Sequence, residues 1–157
     1  MKFKSVAFLS IGLLALTTGA ALSAADATSR VVKIRTGVEN AMKFDVPTLT
    51  AAPGETLKIV LTNATTLPKA VMGHNWVLLK AGADPVAYAT VAASDQAGGY
   101  MPEKLKDQVL AFIPVLGPNE TAEVTLQVPA QPGEYPFLCS FPGHCVVGMK
   151  GVLVVKK

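Results

Sequence analysis

Residues 134–155 read Glu134-Tyr-Pro-Phe-Leu-Cys139-Ser-Phe-Pro-Gly-His144-Cys145-Val-Val-Gly-Met149-Lys-Gly151-Val-Leu-Val-Val155. Two β-rich runs, Glu134–Cys139 and Gly151–Val155, enclose a loop punctuated by Pro142, Gly143 and Gly148. The same grammar continues towards the N-terminus. Ala122–Val128 (AEVTLQV) alternates apolar and polar residues, with the turn Pro132-Gly133 after it and Gly117-Pro118-Asn119 before it. Leu110–Val115 is apolar and contains Pro114. Asn75–Lys80 (NWVLLK) is another largely apolar run, and Thr56–Leu61 (TLKIVL) alternates cleanly after the turn Pro53-Gly54. Ala41–Leu49 alternates in part, with Pro47 marking an edge or a break, and Arg30–Arg35 (RVVKIR) is a short β-rich run. Seven to eight short strands separated by Gly/Pro turns predict an all-β, Greek-key β-sandwich. Asp84–Leu110 does not fit this pattern. Its Ala-rich start, Gly98-Gly99 and Met101-Pro102 predict a flap with one short helix inserted between two strands.

The composition agrees with a compact domain. Of 157 residues, 50% are apolar and 16% charged, which excludes a disordered or collagen-like chain. Met1-Lys-Phe-Lys4, the uncharged run Val6–Leu22 and the small residues Ser23-Ala-Ala25 follow the order of a secretory signal. Cleavage after Ser23, Ala24 or Ala25 fits, and the rival is a retained N-terminal anchor. We therefore expect a signal segment at 1–25 and one domain at 26–157, soluble in the periplasm or otherwise exported. Losing Lys2 and Lys4 lowers the formal charge from +3 to +1. That is too little, and too scattered, for nucleic-acid binding. An exported thiol is exposed to oxidation, so Cys139 and Cys145 each need a reason to be there.

The loop at 139–149 holds Cys139, His144 and Met149. Thiolate and thioether are soft donors and imidazole is borderline. One Cys, two His and a weak axial Met form a blue-copper electron-transfer site. His74, in Met72-Gly-His-Asn-Trp76, is the only other histidine of the chain and completes the set His74, Cys139, His144 and Met149. With two histidines in all, no centre needing three imidazoles can form.

These motifs resemble those of cupredoxins of the azurin and auracyanin group. Leu67–Leu78 (LPKAVMGHNWVL) resembles the azurin segment around its first His ligand, and Cys139–Gly151 (CSFPGHCVVGMKG) resembles the family's ligand loop. The resemblance spans most of residues 30–157. It implies one copper ion cycling between Cu(II) and Cu(I), a Gly73 carbonyl near the metal opposite Met149, and Asn75 tying the two ligand segments together near the Cys sulfur. It also implies entry of the electron through His144, with a rim formed by Met42, Leu67, Met72, Phe141, Pro142 and Val147. The expected partners are transient redox proteins, such as a cytochrome or a membrane redox complex. No nucleic acid or small-molecule substrate is expected, and the protein should be a monomer without enzymatic activity. Four residues, Cys145–Gly148, separate His144 from Met149, as in plastocyanins and auracyanins; azurins have three. The Cys–His interval is azurin-like. The disulfide that azurins carry away from copper has no cysteine pair here.

Two other readings use the same residues. A structural zinc site would take His74, Cys139, His144 and Cys145, leaving Met149 without a role. A copper carrier or buffer would use the blue-copper ligands to deliver metal rather than electrons. For Cys145 itself the choice is between a thiol packed beside the loop and one that forms a disulfide, with Cys139 in copper-free protein or between molecules. Trp76 is expected in the core, and Lys104, Lys106 and Asp107 on a solvated face of the flap.

Overall fold

The structure, a computed structural model, describes residues 29–157. The expected signal at 1–25 lies outside the described residues. Eight strands form two sheets: β1 (Arg30–Thr36), β2 (Thr48–Ala51), β3 (Thr56–Asn63), β4 (His74–Leu79), β5 (Val109–Leu116), β6 (Thr121–Gln127), β7 (Gly133–Leu138) and β8 (Lys150–Val155). One sheet has the order β1-β3-β6 and the other β2-β8-β7-β4-β5. The sandwich is therefore as expected. Its sheets are mixed, because β1 runs parallel to β3 and β2 parallel to β8. Alternation in β3 is complete: Leu57, Ile59, Leu61 and Asn63 point inward and are buried. All six residues of β4 are buried, since one face meets the other sheet and the second is covered by the flap. Phe137 lies at the centre of the core, with its ring centroid 5.4 Å from that of Phe44 and 5.6 Å from that of Trp76.

The expected strand at 41–49 is shorter and begins later. Pro47 has no N–H to give a ladder, and the chain before it is held by turn-like bonds: Asp45 Oδ1 accepts from the Arg35 N–H at 2.7 Å, and the Lys43 N–H donates to the Ala41 carbonyl. Only Phe44 forms an isolated bridge, to Thr36, before pairing starts at Thr48.

The flap between β4 and β5 contains helix α2 (Pro85–Ala92) and, beyond expectation, a 3-10 turn at Glu103–Gln108. Helix α1 is the single turn Lys69–Met72 before β4. Asp84 caps α2 by accepting from the N–H groups of Val86 and Ala87 at 2.8 and 3.2 Å, and Pro85 occupies the first turn. The helix buries Tyr88, Ala89 and Ala92 against Val77, Leu79, Leu138 and Cys145. Lys104, Lys106 and Asp107 face solvent as expected.

Gly151 shows how closely β7 and β8 meet. A methyl on its Cα would overlap the ring of Phe137, its cross-strand partner, and the carbonyl oxygen of Pro47. That carbonyl already accepts from the Val152 N–H at 2.9 Å. Gly151→Ala should therefore cost about 2–3 kcal/mol of stability, as overpacking does in a dense core. A urea titration checks this; a midpoint equal to that of the unsubstituted protein would contradict the packing described.

Candidate metal centre

The strand order brings the chemistry to one end of the larger sheet. β7 pairs antiparallel with both β4 and β8, through Val77↔Leu138 and Leu138↔Lys150. His74 opens β4, Cys139 follows the last residue of β7, and Met149 precedes the first of β8. The loop then closes on itself through the backbone. The Cys139 N–H donates to the Met149 carbonyl at 3.1 Å, the Met149 N–H to the His144 carbonyl at 3.0 Å, and the His144 N–H to the Phe141 carbonyl at 3.1 Å.

The donor atoms of His74, Cys139 and His144 lie within 4.8 Å of one another. Cys139 Sγ is 3.9 Å from His74 Nδ1 and 3.5 Å from His144 Nδ1. The three residues are buried, and His144 retains 3% exposure. Met149 is fully buried, with Sδ 4.0 Å from Thr36 Oγ1 on the opposite sheet. Cys145 is not among the clustered donors. Its Sγ turns the other way and donates to the Pro85 carbonyl at 3.4 Å, within the cluster under α2. Packing is thus its structural role, both cysteines are free thiols, and the four-ligand zinc arrangement loses a member.

Protonation suits a metal of borderline softness. Burial lowers the His74 imidazole to about 4, with His144 nearby adding to the shift, and burial likewise lowers His144 to about 4. Both rings are neutral, hence able to ligate, at ordinary pH. Burial pushes the Cys139 thiol up to about 12, while the backbone N–H groups of Asn75 and Phe141 pull it the other way. Two neutral imidazoles beside a buried thiol fit copper, whose binding would displace one proton from sulfur.

Asn75 bridges β4 and the loop after β7. Its Oδ1 accepts from the Ser140 N–H and its Nδ2 donates to Ser140 Oγ, both at 2.7 Å. Gly73 is required sterically: a Cβ there would press on the Lys69 carbonyl, Val115 and the Phe141 ring. Of the expected rim, Met42, Pro142 and Val147 are exposed, while Leu67 and Met72 are partly covered. Phe141 needs correction. It is 8% exposed, because its ring is sandwiched between Tyr100 and His144, at centroid distances of 5.1 and 4.8 Å.

Several contributors were not anticipated. Val71 and Val146, exposed on the segments that carry the histidines, join the apolar surface. Asn63 Nδ2 donates to the carbonyls of Met72 and Leu116, bracing the approach to His74. The signal for Asn63 was a polar residue at an inward position of an alternating strand. Thr36 carries the same signal at the end of β1.

A family model, "Copper binding proteins, plastocyanin/azurin family", matches residues 31–156. Auracyanin-B of Chloroflexus aurantiacus is 41% identical over 83 residues, which are 52% of this chain and 35% of that protein. Azurin of Pseudomonas fluorescens biotype A is 39% identical over 107 residues, 65% of this chain and 80% of that one. The solved structure of auracyanin A, described as a "blue" copper protein from Chloroflexus aurantiacus, superposes with a TM-score of 0.70 at 34% identity, covering 82% of this chain and 99% of that chain. With the sandwich and the His-Cys-His cluster, these matches show that the chain belongs to the plastocyanin/azurin family of copper binding proteins.

Proposed function

We propose that this protein is an exported carrier of single electrons, holding one copper ion with His74, Cys139, His144 and Met149. The observation that carries the reading is the buried convergence of two neutral imidazoles on the Cys139 thiol. The metal supplies Cu(II)/Cu(I) cycling when bound. The chain supplies a cavity whose donors are fixed by strand ends and by closed backbone bonds, so that the geometry changes little between the two states. Gly73 and Asn75 act on the site from behind, the first by its carbonyl and close packing, the second through Ser140. Both histidines of the chain are in this one cluster, which leaves no imidazole for a second, catalytic copper centre.

The electron would pass at the His144 edge, within an apolar rim of Met42, Leu67, Met72, Pro142 and Val147, extended by Val71 and Val146. Such a rim fits transient docking to a cytochrome or a membrane redox complex, with the carrier itself a monomer. A domain of near-neutral charge gives little electrostatic steering. The start of the sequence supports export with removal of 1–25. Among the described residues no helix is long and apolar enough to cross a membrane.

The test is repeated redox cycling of copper-loaded protein followed by absorption. An intense thiolate-to-copper band near roughly 600 nm should bleach with a mild reductant and return with an oxidant, with the metal retained. Loss of copper on each reduction would instead favour the carrier-of-metal reading.

A further inference from the structure

We infer that Tyr100 is a positioning residue for the metal-bearing loop, the clasp by which the flap holds the segment between Cys139 and His144; this rests on the electron-carrier reading above. Tyr100 has φ 62, in the left-handed region that a bulky aromatic side chain rarely adopts. Gly98 and Gly99 directly precede it, yet the left-handed turn extends onto the tyrosine. A residue is held in such a conformation only where its surroundings over-determine it. Here they do so from three sides. The Tyr100 N–H donates to the Asp95 carbonyl at 2.8 Å, closing the flap turn. Its carbonyl accepts from Ser140 Oγ at 2.7 Å, and that oxygen in turn accepts from Asn75 Nδ2 at 2.7 Å. Its ring packs edge-on to Phe141, at 5.1 Å and 66°.

The Phe141 ring is 4.8 Å from that of His144, which is 4.7 Å from that of His74. A contact made by the flap is thus passed through one phenylalanine to both imidazoles. Among the described residues, Tyr100 is the partly buried apolar side chain that packs against both hydrophobic clusters, the core between the sheets and the one under α2. On the far side of His144 the flap holds the loop a second time, where Cys145 Sγ donates to the Pro85 carbonyl. The flap therefore grips the loop on both shoulders of His144. Neither contact of Tyr100 with the loop uses its phenol hydroxyl, so the ring and the backbone carry the function.

Tyr100→Ala and Tyr100→Phe in the full protein separate the outcomes. The readouts are amide hydrogen exchange at residues 140–147 in copper-free protein, and the rate at which a cuprous chelator extracts metal from the reduced, loaded protein. Loss of one edge-to-face contact should raise both rates about three- to tenfold in Tyr100→Ala. Tyr100→Phe should match the unsubstituted protein in both. If the alanine variant does not fold, Tyr100→Leu, which keeps apolar bulk in both clusters, carries the same expectation. Unchanged rates in Tyr100→Ala or →Leu, with only the unfolding midpoint lowered, would overturn the clasp. So would a Phe variant that behaves like Ala. Absence of a copper–thiolate band in the unsubstituted protein would sink the electron-carrier reading instead, and the exchange measurement on metal-free protein would still decide the clasp.

Discussion

Cys139→Ser should erase the visible band of copper-loaded protein and its redox cycling, while the sandwich stays folded. Cys139 is fully buried, and its sulfur faces Nδ1 of both histidines. The band depends on charge transfer from a thiolate, and no other clustered donor can supply one. A serine hydroxyl is a harder donor and gives up its proton far less readily, so it matches neither oxidation state of copper. The fold should tolerate the exchange. Serine differs by one atom, and the N–H groups of Asn75 and Phe141 that point at the sulfur remain available to the oxygen. The cost to metal-free stability should be about 1–2 kcal/mol, the range of ordinary substitutions. Cys145→Ser is the matched control. Its side chain packs under α2 and donates to Pro85, so colour should be kept. Absorption would be read on both variants at equal copper load. A blue Cys139→Ser protein, or a colourless Cys145→Ser protein, would exchange the roles of the two thiols.

The parts of this molecule that were legible in the sequence are those written over short spans. Alternation in Thr56–Leu61 and Ala122–Val128 marked strands because neighbouring side chains face opposite sides of a sheet. The loop Cys139–Met149 announced its chemistry because three donors of suitable softness lie within one turn of chain, and His74 had no competitor. Contacts between distant segments were not legible. Ser140 and Tyr100 are 40 residues apart and meet only because the flap folds back over β4. Thr36 and Met149, 113 residues apart, meet across the two sheets. The parallel pairings of β1 with β3 and of β2 with β8 depend on where the chain crosses, which local pattern does not encode. Phe141 looked like a rim residue because it flanks Pro142 and His144. It is buried because Tyr100 covers it, so its misplacement and the unnoticed flap contact have one cause.

Metal-free protein should lose stability steeply between pH 6.5 and about 4, and copper should raise stability throughout that range without removing the loss. In the unfolded chain both histidines take up a proton near 6.5; in the folded protein burial holds each near 4. Between those values the unfolded state binds more protons, so stability rises with pH across the window and falls as the solution is acidified. Each histidine contributes about 1–3 kcal/mol over the full interval, and the two are not independent because their rings lie 4.7 Å apart. That amount is a large share of a small domain's stability. The Glu55 carboxylate does not imitate the effect in the upper part of the window. Glu55, beside Arg30, is held below its ordinary 4.5 and titrates under it. Urea midpoints of metal-free protein at pH 7 and pH 5 should therefore differ clearly, and His144→Gln, with one titrating ring fewer, should show about half the difference. Copper held by both imidazoles and the thiolate would raise the midpoint by mass action but keep those groups unprotonated, so the loaded protein should be more stable at each pH and should still lose stability as the pH falls. A metal-free midpoint independent of pH would mean that the rings are solvated, contrary to their burial. Copper that gives no rise in the midpoint at pH 7 would mean that the histidines are not ligands.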